Sequence, residues 1–376
     1  MNAGDHQLGI YLTGMLEGRV PDLTTDLSAL ESRAREALSP EAFGYIVPSA
    51  GSGSTARANL EAFERRRIVP RMLRGVDRQR DLSCELLGTR MPAPVLVAPM
   101  GVQTLAHEEG ELATVRAAAA VGVPYVHSTA ATHDFEQVAA AGGDAPRWFQ
   151  LYYPTDQDVC ASFLRRARAA GFTVLMVTLD TTLLGWRPAD LDRGYLPFLA
   201  GTGIANYLSD PNFAGVDNPV THWAGMFPNP GLSWDDLPFL REHWDGPIVL
   251  KGIVSADDAR LAADHGMDGV VVSNHGGRQV DGAVAALDAL PGIAEAVGDR
   301  LTVLFDSGVR TGADVFKALA LGARAVLIGR PVLYGLALGG QAGVEHVLRC
   351  LLGEFDITLA LSGHSSPAEL GPGSLA

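Results

Sequence analysis

The sequence predicts an α/β protein closed into a (β/α)8 barrel, with a helical segment ahead of it and a long lid loop after the fourth strand. Three observations lead there. From about Pro94 onward, short apolar runs alternate with helical patterns, the order expected of parallel strands joined by crossover helices. Eight such runs can be counted, enough to close a barrel. Their interiors are β-branched or aliphatic with little polar alternation, as in strands covered on both faces.

In chain order, the first 90 or so residues carry helical patterns such as "LSALESRAREAL" (Leu27 to Leu38), expected to pack on the barrel's outside or bottom. The strand runs then end at Gly101, Thr129, Tyr153, Asp180, Ile253, Gly277, Gly308 and Arg330. Between them lie amphipathic stretches. "DQDVCASFLRRARAAG" begins at Asp156, and "SADDARLAADHG" opens on Ser255 with acidic residues in its first turn and stops on a glycine, a start and stop pair for a helix. Residues 188–247, between the fourth and fifth strands, are rich in Gly, Pro, Asn and Asp, and a connection that long is expected to serve function or mobility as an active-site lid. The expected division is a helical extension over 1–90, a barrel with its lid over 91–361, and a tail over 362–376.

With 376 residues and 47% hydrophobic content the chain has enough apolar material for a large core. Its formal charge of −14 argues against a nucleic-acid or anionic-membrane surface, because both need a positive field. Cys84, Cys160 and Cys350 are odd in number and widely spaced, which fits reduced thiols. The start, "MNAGDHQLGIYL", lacks a basic stretch followed by an apolar run, and no segment approaches the roughly 18 apolar residues of a membrane span, so the expected location is the cytoplasm.

Chemistry in such barrels gathers where strands end, because the loops there converge on one face. The polar residues at those ends are Ser128, Gln150 with Tyr152, Thr178 with Asp180, Lys251, Ser273 with His275 and Arg278, Asp306 with Arg310, and Arg330. The chain has only two lysines, so Lys251 inside an apolar strand demands a reason, whereas Lys317 in a helical pattern reads as solvated. "DSGVRTGADV" followed by "IGRPV" reads as a phosphate site: Gly308 and Gly329 let backbone N–H groups approach an anion, and Arg310 and Arg330 supply charge. Ser128, Gln150 and Thr178 offer neutral hydrogen bonds suited to a heterocycle's edge, and Lys251 a cation able to favour an electron-rich ring. His275 and Arg278 suit a carboxylate-bearing alcohol, with the imidazole as base, the guanidinium on the carboxylate, and Asp180 orienting the imidazole.

Other patterns fail. No GxxxxGK[ST] loop occurs, and "GTG" at Gly201 lacks the third glycine and a preceding strand. "HEEGE" at His107 lacks a second histidine and reads as a solvated helix start, so no metal is invoked. "GTR" at Gly88 and "RRR" at Arg65 read as solvated surface.

The segment "SNHGGRQVDG", with Lys251, Arg187, "DSGVR" and "IGR", resembles the FMN-dependent 2-hydroxy acid oxidases and dehydrogenases, a family with a (β/α)8 TIM-barrel fold. The likeness runs from about Leu27 to Leu361. Within the family, "TLDTTLLGWRPADL", "IANYLSDPNF", "LSWDDLPFL" and "LYGLALGG" look most like the lactate 2-monooxygenase branch, which converts L-lactate and O2 to acetate, CO2 and water. The resemblance implies FMN as cofactor, a small 2-hydroxy acid and O2 as partners, and a homotetramer or homo-octamer. It implies that His275 takes the C2 hydroxyl proton, with Asp180 orienting it. Arg278, Arg187 and Tyr45 would bind the carboxylate, and Tyr152 the hydroxyl. Ser128, Gln150 and Thr178 would hold the flavin ring, with Pro99, Met100 and Gly101 presenting backbone to it and Lys251 beside it. Ser273 is counted with the cofactor set, Asp306 would meet the ribityl chain, and Gly308, Arg310, Gly329 and Arg330 would bind the phosphate.

Three departures stand out. After Tyr45, Pro48 and Ser49 replace the family's usual glycines, and Ser52 and Gly53 its acidic pair. Ala130 stands where some members carry a bulky side chain, leaving space for a larger 2-substituent such as mandelate's. Gly101 stands where oxidases often have alanine. The alternatives left open are an oxidase or dehydrogenase of a bulkier acid, a non-catalytic FMN-binding paralogue, and a flavin barrel acting on a diphosphate, against which the carboxylate-binding arginines argue.

Overall fold

The computed structural model describes residues 3–77 and 80–376. Two short strands come first: β1 (Cys84–Leu86) and β2 (Thr89–Met91) form an antiparallel hairpin. Then follow β3 (Val95–Val97), β4 (Tyr125–Ser128), β5 (Arg147–Leu151), β6 (Leu175–Thr178), β7 (Ile248–Ile253), β8 (Gly269–Val272), β9 (Thr302–Phe305) and β10 (Ala325–Ile328). Every pairing among these eight is parallel, and β10 pairs with β3, which closes the barrel. All eight strands lie where the apolar runs place them.

Alternate strand residues divide between two apolar layers, as the two-residue period of a strand requires. Leu96, Val126, Trp148, Met176, Val249, Val271, Leu304 and Leu327 fill the barrel's interior. Val95, Val97, Phe149, Val177, Leu250 and Ile328 face the surrounding helices. The helices begin as their sequences promised. Asp156 caps the helix Gln157–Ala169 through hydrogen bonds from the backbones of Asp158 and Val159, and Ser255 caps Ala256–Asp264 through the N–H of Asp258.

Four sequence expectations need correction. The hairpin β1–β2 lies in a stretch read as helical; its three-residue strands are too short to give a periodic signal. It plugs the barrel's lower end, with Leu86 and Met91 joining the interior layer, and Thr89 of "GTR" is buried rather than solvated, accepting a hydrogen bond from Trp148 Nε1 at 2.9 Å. Lys317 is not freely solvated either, because its ammonium donates to the Phe63 carbonyl at 3.0 Å and so ties the N-terminal helix Ser54–Glu64 to the barrel. Glu111 of "HEEGE" is fully buried, where it accepts hydrogen bonds from the backbone N–H groups of Gln103 and Thr132 and pairs with His133.

Residues 188–247 are not a bare loop. They fold into short helices, among them Pro188–Leu191, Ala205–Leu208, Pro219–Met226 and Leu237–His243, held by the buried aromatics Phe198, Tyr207, Phe213, Trp223 and Phe227. Trp223 stacks on Phe227 with ring centres 5.8 Å apart. Among the described residues, no helix is long and apolar enough to cross a membrane.

Candidate active site

The C-terminal ends of all eight strands open onto one pocket. Each segment after a strand places one or two functional groups there. After β8 the chain must reverse sharply while keeping its backbone in hydrogen bonds, which the "NHGG" sequence makes possible. Asn274 accepts from the Gly277 N–H at 3.1 Å, and His275, Gly276 and Gly277 all take positive φ. A Cβ on Gly276 would stand 2.5 Å from Arg330 Nη1, and one on Gly277 would stand 2.7 Å from the Ala56 backbone nitrogen, so both positions need glycine.

That turn aims His275 into the pocket. Its Nδ1 donates to Asp180 Oδ1 at 2.8 Å, and Thr181 Oγ1 donates to the same oxygen at 3.1 Å while lying 3.2 Å from the ring nitrogen. With the proton on Nδ1 fixed in this way, Nε2 is left with a lone pair. Burial pushes His275 below the ordinary histidine range, although the charge of Asp180 and its hydrogen bond pull the other way. Burial works against the Asp180 carboxylate, but the charges of His275 and Lys251 and the hydrogen bonds from His275 and Thr181 hold it below the usual carboxyl range. The imidazole is therefore neutral and the carboxylate charged near pH 7, the state a base requires.

Opposite this pair lie two guanidinium groups. Arg278 Nη1 donates to the Pro48 carbonyl at 2.8 Å, and its guanidinium carbon sits 5.3 Å from the centre of the Tyr45 ring. Arg187 donates through Nε to the Arg278 carbonyl at 3.1 Å and through Nη2 to Gln279 Oε1 at 2.7 Å. Among the described residues, neither forms an ion pair with a carboxylate, although Arg187 is 7% exposed. Burial, reinforced by the charge of Arg187, pulls Arg278 down to about 9, which still leaves it charged at neutral pH. The charge of Asp190 reaches both without an ion pair to either, and two neighbouring guanidinium groups, Arg187 buried and Arg278 half-buried, still make a site for an anion. Burial also raises Tyr45, and raises Tyr152 to about 12, so both phenols keep their protons and can donate.

A second anion site forms after β9 and β10. Among the described residues, the Arg310 guanidinium donates only to the Val309 carbonyl and that of Arg330 only to the Gly276 carbonyl, while Arg330 Nε and Nη2 are buried without a partner. Gly308 and Gly329 line the pocket beside them. Lys251 lines the same pocket, its ammonium donating to Ser273 Oγ at 2.9 Å and pairing with Asp306 at 3.1 Å. Burial opposes its charge, but Asp306 and Asp180 outweigh it and hold the lysine above its usual range. The Gln150 amide has Oε1 tied to Ser128 Oγ at 2.8 Å and its Nε2 buried without a partner.

Of the residues expected at the site, Tyr45, Pro99, Met100, Gly101, Gln150, Tyr152, Thr178, Arg187, Lys251, His275, Arg278, Asp306, Gly308, Arg310, Gly329 and Arg330 line this pocket. Asp180, Ser128 and Ser273 stand one layer behind, holding His275, Gln150 and Lys251 respectively. The departures after Tyr45 leave a well-anchored loop: Ser52 donates to Asp281 from its backbone at 2.6 Å and from its hydroxyl at 2.8 Å, so the serine fastens the loop to the end of the "SNHGGRQVDG" segment.

Sequence reasoning missed Thr181, which only its place after Asp180 could have suggested. It also missed the wall of Phe198, Trp223 and Phe227, hidden in a stretch read by its glycines and prolines; the spacing of Trp223 and Phe227 was the available signal.

The family model described as FMN-dependent dehydrogenase matches residues 34–376. The chain belongs to that family. It is 48% identical to the FMN-dependent alpha-hydroxy acid dehydrogenase qulF of Penicillium citrinum, over 98% of this chain and 94% of that one. It is 44% identical to the L-lactate oxidase of Lysinibacillus sphaericus, with 90% of this chain and 89% of the relative covered. Among solved structures it superposes on mandelate oxidase with a TM-score of 0.84 at 39% identity, covering 92% of this chain and 96% of that one. The protein is an FMN-dependent 2-hydroxy acid oxidoreductase with FMN as its cofactor. The residues present fit that cofactor. The unpartnered Arg330 donors suit a phosphate, and the unpartnered Gln150 amide lies in the same pocket for a ring's polar edge.

Proposed function

We propose that His275 removes the hydroxyl proton of an (S)-2-hydroxy acid whose carboxylate is held by Arg187, Arg278 and Tyr45. The observation that carries this reading is an imidazole held by Asp180 and kept neutral by burial, in the same pocket as two guanidinium groups that form no ion pair among the described residues. Tyr152, protonated and lining the same space, donates to the substrate oxygen. FMN would supply the acceptor for the C2 hydrogen and its electron pair, with O2 as the final oxidant. Arg310, Arg330, Gly308 and Gly329 would hold its phosphate, and Asp306 its ribityl chain. Gln150, Thr178 and the backbone of Pro99, Met100 and Gly101 would hold the ring, and Lys251 would supply a buried positive charge to it. Ser128 and Ser273 orient Gln150 and Lys251 from behind.

For the fate of O2 the proposal is the lactate 2-monooxygenase outcome, acetate, CO2 and water from L-lactate. It needs the 2-oxo acid to stay in place while O2 reacts, and the helical cover over 188–247 supplies a wall for that, lining the pocket with Phe198, Trp223 and Phe227. A second reading is favoured by Ala130: it meets this aromatic wall with only a methyl group, leaving room for an aryl 2-substituent such as mandelate's. Gly101 belongs to the same packing, since a Cβ there would stand 2.7 Å from the Ala130 carbonyl oxygen.

Anaerobic addition of L-lactate or L-mandelate should bleach the flavin, and an unchanged spectrum across a panel of 2-hydroxy acids would instead mark a non-catalytic flavin carrier. Product analysis then decides the rest, because acetate and CO2 support the monooxygenase outcome and stoichiometric pyruvate with H2O2 rejects it. The FMN-binding unit is proposed to span 91–361, with 1–90 and 362–376 packed on it. The protein is proposed to work in the cytoplasm as a homotetramer or homo-octamer, a state supported by the apolar Leu8, Tyr11, Leu12, Met15 and Leu16 exposed on the helix Asp5–Glu17.

A further inference from the structure

Away from the pocket, three side chains with soft donor atoms converge where the first helix meets the last long one. His6 lies in the first turn of Asp5–Glu17, while His346 and Cys350 stand four residues apart on Arg330–Leu361, hence on one face of it. Cys350 Sγ is 3.5 Å from His346 Nε2 and 3.8 Å from His6 Nε2, and all three donor atoms lie within 4.8 Å of one another. As a hydrogen-bonded cluster this arrangement is poor, since thiol–imidazole contacts of that length are weak. As a coordination shell it is close to ready. With zinc–nitrogen bonds near 2.0–2.1 Å and a zinc–sulfur bond near 2.3 Å, a tetrahedron has sulfur–nitrogen edges of about 3.5 Å and nitrogen–nitrogen edges of about 3.4 Å.

We propose that His6, His346 and Cys350 bind a borderline-soft divalent cation of the Zn(II) class, which clamps the N-terminal helix to the barrel's last helix. The Thr24 carbonyl oxygen, 3.0 Å from His346 Nε2, is a further donor, and solvent can complete the shell instead. In the metal-free chain His346 Nε2 donates its proton to that carbonyl. Binding shifts this proton to Nδ1, frees Nε2 as a ligand, and releases the thiol proton to solvent, so one proton leaves for each ion bound. Among the described residues, the one cation whose charge reaches the cluster, Arg349 beside His6, is itself paired with Glu345 at 3.6 Å.

The pairing is specific to the tertiary fold. His346 and Cys350 alone make a two-ligand site, and the third ligand comes from the far end of the chain. The junction is already tight, because a Cβ on Gly353 would stand 3.2 Å from the Ala3 carbonyl oxygen, and the Gly4 N–H donates to Asp356 at 2.7 Å. None of the three ligands lines the flavin pocket, so the ion's role is structural and separate from the oxidation chemistry.

The test uses the full-length FMN-loaded protein, stripped of metals with a chelator and titrated with Co(II). Expected are strong d–d bands of a tetrahedral thiolate site, red of the flavin absorption, saturating at one ion per chain and abolished by added Zn(II). Thermal stability should rise with Zn(II) concentration while substrate turnover stays unchanged. Cys350→Ser should remove the bands. His6→Gln, on a partly exposed terminal helix and therefore expected to fold, should weaken binding by more than the roughly 10- to 100-fold typical of losing an outer-shell partner. Bands that never appear, bands equal in wild type and His6→Gln, or saturation at one ion per two chains would each overturn the assignment.

Discussion

The two ends of the barrel solve opposite problems with the same strands. At the lower end the hairpin β1–β2 closes the interior, and the polar atom it buries is satisfied within the protein, as when Trp148 Nε1 donates to Thr89. At the upper end Gln150 Nε2, Asp180 Oδ2 and two nitrogens of Arg330 are buried without partners, and among the described residues Arg187 and Arg278 form no ion pair. Buried polar groups are costly unless paired. The upper end therefore carries a destabilisation that only ligands relieve, and the lower end supplies stability without chemistry. One end is built to bind, the other to hold.

Changing the upper end should alter rate far more than stability. His275→Gln should keep FMN bound while slowing anaerobic flavin reduction by roughly 10²- to 10⁴-fold, the contribution of a positioned base. Stopped-flow bleaching measures this, and near-normal reduction would remove the assigned role. Arg278→Lys keeps the charge but loses the planar fork over Tyr45, so kcat/KM should fall by about 10- to 100-fold, mainly through KM. A steady-state comparison with a substrate amide lacking the carboxylate should show the effect shrinking.

The lower end should respond the other way. Thr89→Val leaves the Trp148 indole N–H buried without an acceptor, which should cost about 1–3 kcal/mol in denaturant unfolding of the apoprotein. The turnover of the variant that remains folded should match wild type; an equal loss of rate would dissolve the contrast between the ends.

The smallest expected effect concerns pH. Because His275 must be neutral to accept a proton and burial holds it below the histidine value of 6.5, kcat/KM should fall as pH drops below that value and should stay flat above it until Arg278, held at about 9, loses its charge. Asp180→Asn removes the charge that raises His275, so the acid limb should move to still lower pH while the rate falls for want of an oriented ring. A limb moving upward would mean that another group controls it.

What could be read from residues alone was whatever nearest neighbours in sequence decide. The eight apolar runs fixed the strand order, since a strand buried on both faces must be apolar throughout its short length. The chemistry at strand ends was legible for the same reason, because a histidine, a lysine or an arginine set against valines stands out without any coordinates. The hairpin at Cys84–Met91 escaped because three residues carry no period. Glu111 and Lys317 read as solvated in the sequence because helical charge normally is, and only packing reveals their buried partners. Thr181 beside His275, the aromatic wall from 188–247, and the meeting of His6 with Cys350 depend on distances between remote segments. Those distances are set by how helices and covers pack on the barrel, and packing sums many small contacts that no local pattern records.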